Sequence, residues 1–124
     1  MRNISFSMST EAVRNRTKTV TRRLGWWDLK PGDLLQAVEK CQGLKKGEHV
    51  KKLAVIRVVS VTAEPLSALL PCHEGDRYGE TELTREGFPE LDPFEFVDMF
   101  ISHNHCNLDT IVNRIEFEYV EGEA

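Results

Sequence analysis

Six consecutive residues near the N-terminus, Lys18 to Arg23 (KTVTRR), carry the side chains best suited to chemistry. They combine an amine, two hydroxyls and two guanidinium groups around a β-branched centre, which favours an extended segment. Because side chains alternate between the faces of a strand, extension alone does not group Lys18 with both hydroxyls and both arginines. A turn at one end would still bring Lys18, Thr21 and Arg23 to one concave spot. The alternative is an exposed strand whose charges are solvated.

This stretch resembles the signature of the ASCH domains, which are relatives of the PUA RNA-binding fold. The general pattern, G-x-K-x-x-E-x-R, follows the first helix, and its four positions fall here on Arg16, Lys18, Thr21 and Arg23. The lysine and the arginine match, whereas Arg16 stands in place of the glycine and Thr21 in place of the glutamate. Small bacterial ASCH proteins similar to acetylcytidine amidohydrolases have K-T-x-T-x-R at this place. Lys18, Thr19, Thr21 and Arg23 reproduce that variant.

The resemblance implies a set of three catalytic residues. Lys18 and Thr21 occupy the first two positions of the set. Glu86, within REGFPELDPFEF, is the candidate for the third because it precedes Phe88 and the helix that Asp92 opens. The implied activity is hydrolysis of the acyl amide of an acylated cytidine nucleoside, with no cofactor.

These residue types suit such a reaction. A threonine hydroxyl is a poor nucleophile until a base takes its proton, and a lysine is that base only when its pKa is lowered. Arg16, Arg22 and Arg23 are expected to lower the pKa of Lys18. Glu86 would protonate the leaving amine or orient the substrate, and Arg23 would hold a phosphate or the pyrimidine carbonyl.

The same basic stretch could instead belong to a non-catalytic module that reads RNA or a nucleotide. Phosphate would then contact basic side chains of the stretch, and a base would stack on one of the two adjacent tryptophans. The tryptophans could equally be anchors in the core or at its rim. The predicted substrate or nucleic-acid contacts are Arg16, Thr19, Arg22, Arg23, Trp26 and Trp27.

Two groups of possible metal ligands stand outside this motif, namely Cys72-His73 and His103-x-His105-Cys106. A tetrahedral zinc site accepts cysteine and histidine, but adjacent Cys72 and His73 lack the usual two-residue gap between ligands. No metal is therefore predicted.

Length, composition and charge describe one domain over residues 1–124. Hydrophobic residues make up 40% of the chain and charged residues 29%. No apolar run approaches the roughly 18 residues that span a bilayer. The N-terminus also lacks the apolar segment of a secretion signal. We therefore expect a cytoplasmic protein outside the membrane, with its three cysteines as thiols. The oligomeric state stays open.

The charge is divided unevenly along the chain. Residues 1–60 carry 13 Lys and Arg against 5 Asp and Glu, whereas residues 61–124 carry 3 against 15. This polarity is compatible with a basic surface that contacts nucleic acid, and equally with mutual neutralisation of the two halves in the fold.

Periodicity predicts a mixed α and β domain. Cys72 to Thr84 is polar, contains two glycines and is predicted to be an exposed loop, acting as a lid or a specificity insertion or lacking order. The ASCH resemblance makes the fold an α+β one, a small PUA-like β-barrel with two or three flanking helices. The other predicted elements are strands at 3–8, 18–23, 34–38, 52–62 and 115–119, a helix over 9–16, a hairpin loop at 42–48, a helical turn at 65–70 and a helix opened by Asp92.

Overall fold

A five-stranded mixed sheet frames the structure, a computed structural model that describes residues 1–40 and 44–121. The strand order is β1-β3-β4-β5-β2, with β1 parallel to β3 and every other neighbouring pair antiparallel. The strands are β1 (Arg2–Ser5), β2 (Val20–Arg23), β3 (Leu34–Val38), β4 (Lys52–Pro65) and β5 (Ile111–Tyr119).

The long strand β4 gives the sheet its curl. Its first part pairs with β3 and its later part with β5, and the register with β5 shifts between Val58 and Ser60. An extra residue in one strand of an antiparallel pair bends that strand and increases its twist. The result is a curled half-barrel with helices packed on it, which confirms the predicted α+β class and PUA-like barrel architecture.

Over residues 1–40 and 44–121, three helices and a short 3₁₀ turn pack with the sheet. They are α1 (Thr10–Arg14), the turn Leu66–Leu69, α2 (Tyr78–Glu86) and α3 (Pro93–Asn104). The start of α3 follows the sequence prediction closely, since Asp92 accepts a hydrogen bond from the Glu95 amide at 2.9 Å and Pro93 is the first helical residue.

The prediction of an exposed loop at 72–84 is wrong for the second half of that segment. The helix α2 starts at Tyr78, and Glu82 and Leu83 are buried. Gly79 is also buried because the helix lies against the 3₁₀ turn, where an added Cβ would come within 2.0 Å of the Leu69 carbonyl oxygen. The segment was predicted to be a loop because it is polar, but its helix packs through charged side chains as well as apolar ones.

The other predicted elements are confirmed with shifted ends. The first strand ends at Ser5 rather than 8, although Phe6 is still buried, and the first helix covers Thr10–Arg14. The hairpin loop predicted at 42–48 lies partly outside the described residues.

Apolar side chains form two clusters on the described part of the chain. The larger cluster lies between the sheet and α1 and includes Ile4, Phe6, Val13, Leu35, Ile56 and Phe117. The smaller one joins the 3₁₀ turn to α2, α3 and β5, and includes Leu66, Leu69, Leu83, Phe96, Val97 and Val112.

Candidate functional site

The segment between α1 and β2 places the lysine of the signature. Arg16 adopts a left-handed backbone conformation with φ 60°, which turns the chain directly after the helix. The amide of Lys18 then donates to the Ala12 carbonyl at 3.1 Å, and the hydroxyl of Tyr119 donates to the Lys18 carbonyl at 2.6 Å. Both ends of the Lys18 peptide unit are therefore fixed before the side chain enters the interior.

The Lys18 side chain is only 2% exposed. Its amine donates to the Oε1 atom of Glu86 at 3.0 Å and to the backbone oxygen of the same residue at 2.6 Å. The phenyl rings of Phe6 and Phe88 lie 5.7 and 5.8 Å from the amine. Burial lowers the pKa of Lys18, and Arg23 and Arg22 lower it further, whereas the charge of Glu86 and its hydrogen bond oppose the shift. The amine is thus easier to deprotonate than an exposed lysine.

Glu86 is the last residue of α2 and faces two cations. Its Oε1 atom accepts from Lys18, and its Oε2 atom accepts from Nη1 of Arg22 at 3.0 Å. Gly87 follows the helix as its C-cap, with φ 91°. A Cβ built on Gly87 would lie 3.6 Å from the Lys18 Cβ, in ordinary contact. The same added Cβ would lie only 2.6 Å from the Ala12 Cβ, so the glycine allows the end of α2 to approach α1 next to Lys18.

Arg22 is fully buried and is bonded to acidic and phenolic groups of the protein. Besides Glu86, it donates from Nε to Glu64 at 2.8 Å and from Nη2 to Tyr78 at 3.2 Å, and it forms an ion pair with Glu82. Burial alone would lower the pKa of Arg22, but the charges of Glu86 and Glu64 outweigh it and raise the pKa. Its guanidinium therefore stays charged and ties β2 to β4 and α2.

Glu82 joins this network to β5. It accepts from Arg114 as well as from Arg22, with an Nη2 to Oε2 distance of 3.1 Å for Arg114. Burial would raise the pKa of Glu82, but the hydrogen bonds from Arg114 and Arg22 lower it to about 2. Glu82 is consequently a carboxylate near neutral pH.

Thr21 lies on the other face of β2 from Arg22. Its hydroxyl oxygen accepts from Nε of Arg23 at 3.1 Å, while Nη2 of Arg23 donates to the Ser5 carbonyl. Within residues 1–40 and 44–121, no hydrogen bond joins the Lys18 amine to the Thr21 hydroxyl. The cation beside the Thr21 oxygen favours an alkoxide on that atom.

A cavity of about 160 Å³ lies over these residues. Its lining combines polar and charged side chains with aromatic rings and methionines, several of them from the first loop and α3. It is lined by Ser5, Phe6, Ser7, Met8, Ser9, Lys18, Thr21, Arg22, Arg23, Glu86, Phe88, Phe96, Met99, Phe100, His103 and Asn104.

Five of the nine predicted catalytic and contact residues therefore share one cavity: Lys18, Thr21, Arg22, Arg23 and Glu86. The other four lie elsewhere. Arg16 places its guanidinium 5.0 Å from the ring of Tyr119, and the Thr19 amide donates to the Arg85 carbonyl. Trp26 packs against the larger core cluster with the Arg2 guanidinium 4.3 Å from its ring, and Trp27 is half exposed.

Sequence reasoning did not find the apolar wall of the cavity as part of a site. Helical periodicity indicates core positions for the stripe of α3 that contains Phe96 and Phe100, and both residues are buried. Their rings pack in the core and also line the cavity. Periodicity cannot distinguish a ring that faces only the core from one that also borders a cavity.

In the part of the chain that the structure describes, the two groups of possible metal ligands, Cys72-His73 and His103-x-His105-Cys106, do not form one joint site. Among the described residues, Cys72 and His73 approach Asp76, with their ligand atoms within 4.8 Å of one another. His103 borders the cavity, and His105 ends α3 with φ 53°.

No helix in the described ranges, 1–40 and 44–121, has the length and apolar character needed to cross a membrane.

Comparisons by sequence and by structure gave different results. No protein-family model and no curated protein matches this sequence. Two solved structures match over almost the whole chain. A DUF984 protein from Enterococcus faecalis is 16% identical, with a TM-score of 0.62 over 97% of this chain and 76% of that one. An ASCH domain from Lactobacillus crispatus is 12% identical, with a TM-score of 0.58 over 95% of this chain and 78% of that one. The chain thus has an ASCH-like fold.

Proposed function

We propose that this chain binds an acylated cytidine nucleoside in the cavity and hydrolyses its acyl amide. The observation that carries the proposal is the Lys18 amine, buried, paired with Glu86 and sharing a cavity with the Thr21 hydroxyl. The ASCH-like fold supports the proposal. The motif resembles that of the acetylcytidine amidohydrolases among the ASCH proteins, and this resemblance assigns the same residues to the catalytic positions.

In the first step the Thr21 hydroxyl attacks the acyl carbonyl carbon. The neutral Lys18 amine takes the hydroxyl proton, directly or through a water, as the new C–O bond forms. The C–N bond to the exocyclic amine of cytosine then breaks, and the Lys18 ammonium returns the proton to the departing nitrogen. The products of this step are free cytidine and an acyl ester on Thr21.

In the second step water attacks the ester carbon. Lys18 again accepts a proton and delivers it to the Thr21 oxygen, which leaves as a hydroxyl, and the acyl group departs as a carboxylic acid. Each proton that Lys18 takes is returned within the same step, so the enzyme ends the cycle unchanged.

Glu86 and Arg23 support this chemistry at two different groups, the base and the nucleophile. The Glu86 carboxylate is 3.0 Å from the Lys18 amine, so it stabilises the ammonium that forms in each step. Arg23 donates to the Thr21 oxygen at 3.1 Å and stabilises negative charge there. The two residues divide the roles of holding the base and polarising the nucleophile.

The aromatic and apolar side chains of the cavity suit a flat base. Phe6 and Phe88 flank the amine, and Phe96, Met99 and Phe100 add apolar surface from the side of α3. Aromatic rings pack against a pyrimidine ring by stacking or edge contacts.

The test is release of cytidine and acetate from N4-acetylcytidine by the purified chain, followed by chromatography. Thr21→Ala and Lys18→Ala should each abolish turnover, because one removes the nucleophile and the other the base. Thr17→Ala is the matched control, since the Thr17 side chain is exposed and its hydroxyl donates to the Ala12 carbonyl, away from the cavity lining. Full activity of Thr21→Ala would exclude the covalent route.

The non-catalytic alternative, a module that reads RNA or a nucleotide, would use the same cavity. Binding of N4-acetylcytidine or of an RNA oligonucleotide by the wild-type chain with no turnover would favour it. Under the enzymatic proposal, Thr21→Ala should retain affinity for the nucleoside while losing turnover.

A further inference from the structure

A second group of reactive side chains lies outside the cavity, in the loop that precedes α2. Cys72, His73 and Asp76 place a sulfur, an imidazole nitrogen and a carboxylate oxygen within 4.8 Å of one another. None of the three lines the cavity. We propose that they form a binding site for a zinc-type divalent cation, independent of the proposed amidohydrolase activity.

The loop is folded so that the two ends of the group meet. The Asp76 amide donates to the His73 carbonyl at 3.2 Å, and Gly75 between them has φ 87°, which closes a tight turn. The Cys72 sulfur then lies 3.4 Å from the Oδ2 atom of Asp76. The sulfur and the carboxylate are therefore already close enough to share one ion.

Each ligand is also oriented by the backbone. Asp76 accepts from the amides of Cys72 and Tyr78, both at 3.1 Å, which fixes the plane of its carboxylate. Nδ1 of His73 lies 3.0 Å from the Glu74 carbonyl oxygen. Since a carbonyl only accepts, Nδ1 is the donor in this contact, which leaves Nε2 as the nitrogen that can bind an ion. This is the outer hydrogen bond that metal-binding histidines commonly make.

The donor set indicates the class of ion. Zinc binds cysteine sulfur, histidine nitrogen and aspartate oxygen, whereas calcium and magnesium prefer oxygen ligands alone. Three protein ligands leave a fourth tetrahedral position for water, and the exposure of Cys72 and His73 gives an ion direct access. Binding would join the loop to the start of α2, because Asp76 also contacts the first residue of that helix.

The test uses the untagged full-length chain, freed of metal with a chelator, and Co²⁺ and Zn²⁺ as probes. Co²⁺ should produce a thiolate-to-cobalt charge-transfer band, and Zn²⁺ should remove it at one equivalent per chain. Competition against a chromogenic chelator gives the zinc affinity. Cys72→Ser should lose the band, and His73→Ala and Asp76→Asn should each weaken zinc binding by roughly tenfold or more.

Matched controls are Cys106→Ser and His49→Ala, which change a cysteine and a histidine outside the group and should leave affinity and band unaltered. Thermal unfolding of every variant without metal separates lost binding from lost folding. The site is refuted if the wild-type chain gives no charge-transfer band. It is refuted as well if Cys106→Ser or Cys41→Ser removes the band while Cys72→Ser keeps it, or if one zinc binds per two chains.

Discussion

The amine of Lys18 is hydrogen bonded to both ends of one residue, the side-chain carboxylate and the backbone carbonyl of Glu86. The proposed base and the carboxylate that stabilises its ammonium are thus both held at the end of α2. The backbone contact also means that removing the Glu86 carboxylate still leaves Lys18 with a hydrogen-bond partner, so Glu86→Gln is a mild probe of charge.

The first prediction concerns pH. Burial lowers the pKa of Lys18 below its ordinary value of 10.5, and a lysine acts as a base only when neutral. The kcat/KM of N4-acetylcytidine hydrolysis should therefore rise with pH along a limb below 10.5. Glu86→Gln should move this limb to lower pH, because the Glu86 charge raises the pKa of Lys18. Arg23→Met should move it to higher pH, because the Arg23 charge lowers that pKa. A limb that stays fixed in both variants would exclude Lys18 as the titrating base.

The second prediction concerns the buried arginine. Arg22→Met leaves the carboxylates of Glu64, Glu82 and Glu86 without this cation and should lower the free energy of unfolding by about 3–5 kcal/mol. Arg57→Met is the control, since its ion pair with Glu118 is about half exposed and should contribute less than about 1 kcal/mol. Urea unfolding measures both. Equal losses in the two variants would contradict the structural role assigned to Arg22.

The third prediction uses the left-handed residue before the signature lysine. Both Arg16→Gly and Arg16→Ala remove the contact with Tyr119, so their difference reports the backbone conformation at φ 60°. The glycine variant should be more stable by about 1 kcal/mol, because a Cβ is unfavourable in this region. The same pair at Arg14, inside α1, should give the opposite order, since alanine favours a helix. Chemical denaturation of the four variants decides the matter.

The fourth prediction separates backbone strain from steric contact. Gly87 and Gly32 both have positive φ, but a Cβ at Gly87 would lie 2.6 Å from the Ala12 Cβ, whereas one at Gly32 would meet nothing within 4 Å. Gly32→Ala should cost about 1–2 kcal/mol from conformation alone, and Gly87→Ala should cost clearly more. Only Gly87→Ala should also lower affinity for the nucleoside, by shifting Lys18. Similar losses in stability for the two would argue against the tight approach of α1 to α2.

The fifth prediction concerns acid. The pKa of Glu82 is lowered to about 2 from an ordinary 4.5, so its ion pairs stabilise the fold above pH 4.5 and lose that effect as the pH falls toward 2. The contribution is at most about 3 kcal/mol, reduced by solvent screening near the partly exposed Arg114. The unfolding free energy of the wild type minus that of Glu82→Gln should shrink between about pH 5 and pH 2. A difference independent of pH would refute the assignment.

Sequence reasoning succeeded where burial follows apolar periodicity. Alternation predicted the last strand, and the Asp92-Pro93 start predicted α3. It failed for α2, whose buried Glu82 looks like a solvent-exposed residue because its partners Arg22 and Arg114 are distant in sequence. The carboxylates around Arg22 were missed for the same reason: a cation in a basic motif suggests phosphate, whereas Glu64, Glu82 and Glu86 are brought near it only by the fold.

The motif itself was the more informative signal. It grouped Lys18, Thr21 and Glu86 through a resemblance, and the structure places all three on one cavity. Their catalytic roles stay predictions. The left-handed Arg16 gives a physical reason for the glycine that ASCH domains have at this position, since glycine adopts that conformation without strain.

The strand order also determines when the cavity can form. In the described part of the chain β2 pairs with β5 alone, with Val20 opposite Glu116. Loop closure over so long a separation is slow and costly in entropy. On the ribosome, Lys18 and Thr21 emerge early, but β2 can pair with its partner only after β5 has emerged. The nascent polypeptide would therefore lack the complete cavity, and with it the proposed nucleoside site, until β5 has been synthesised.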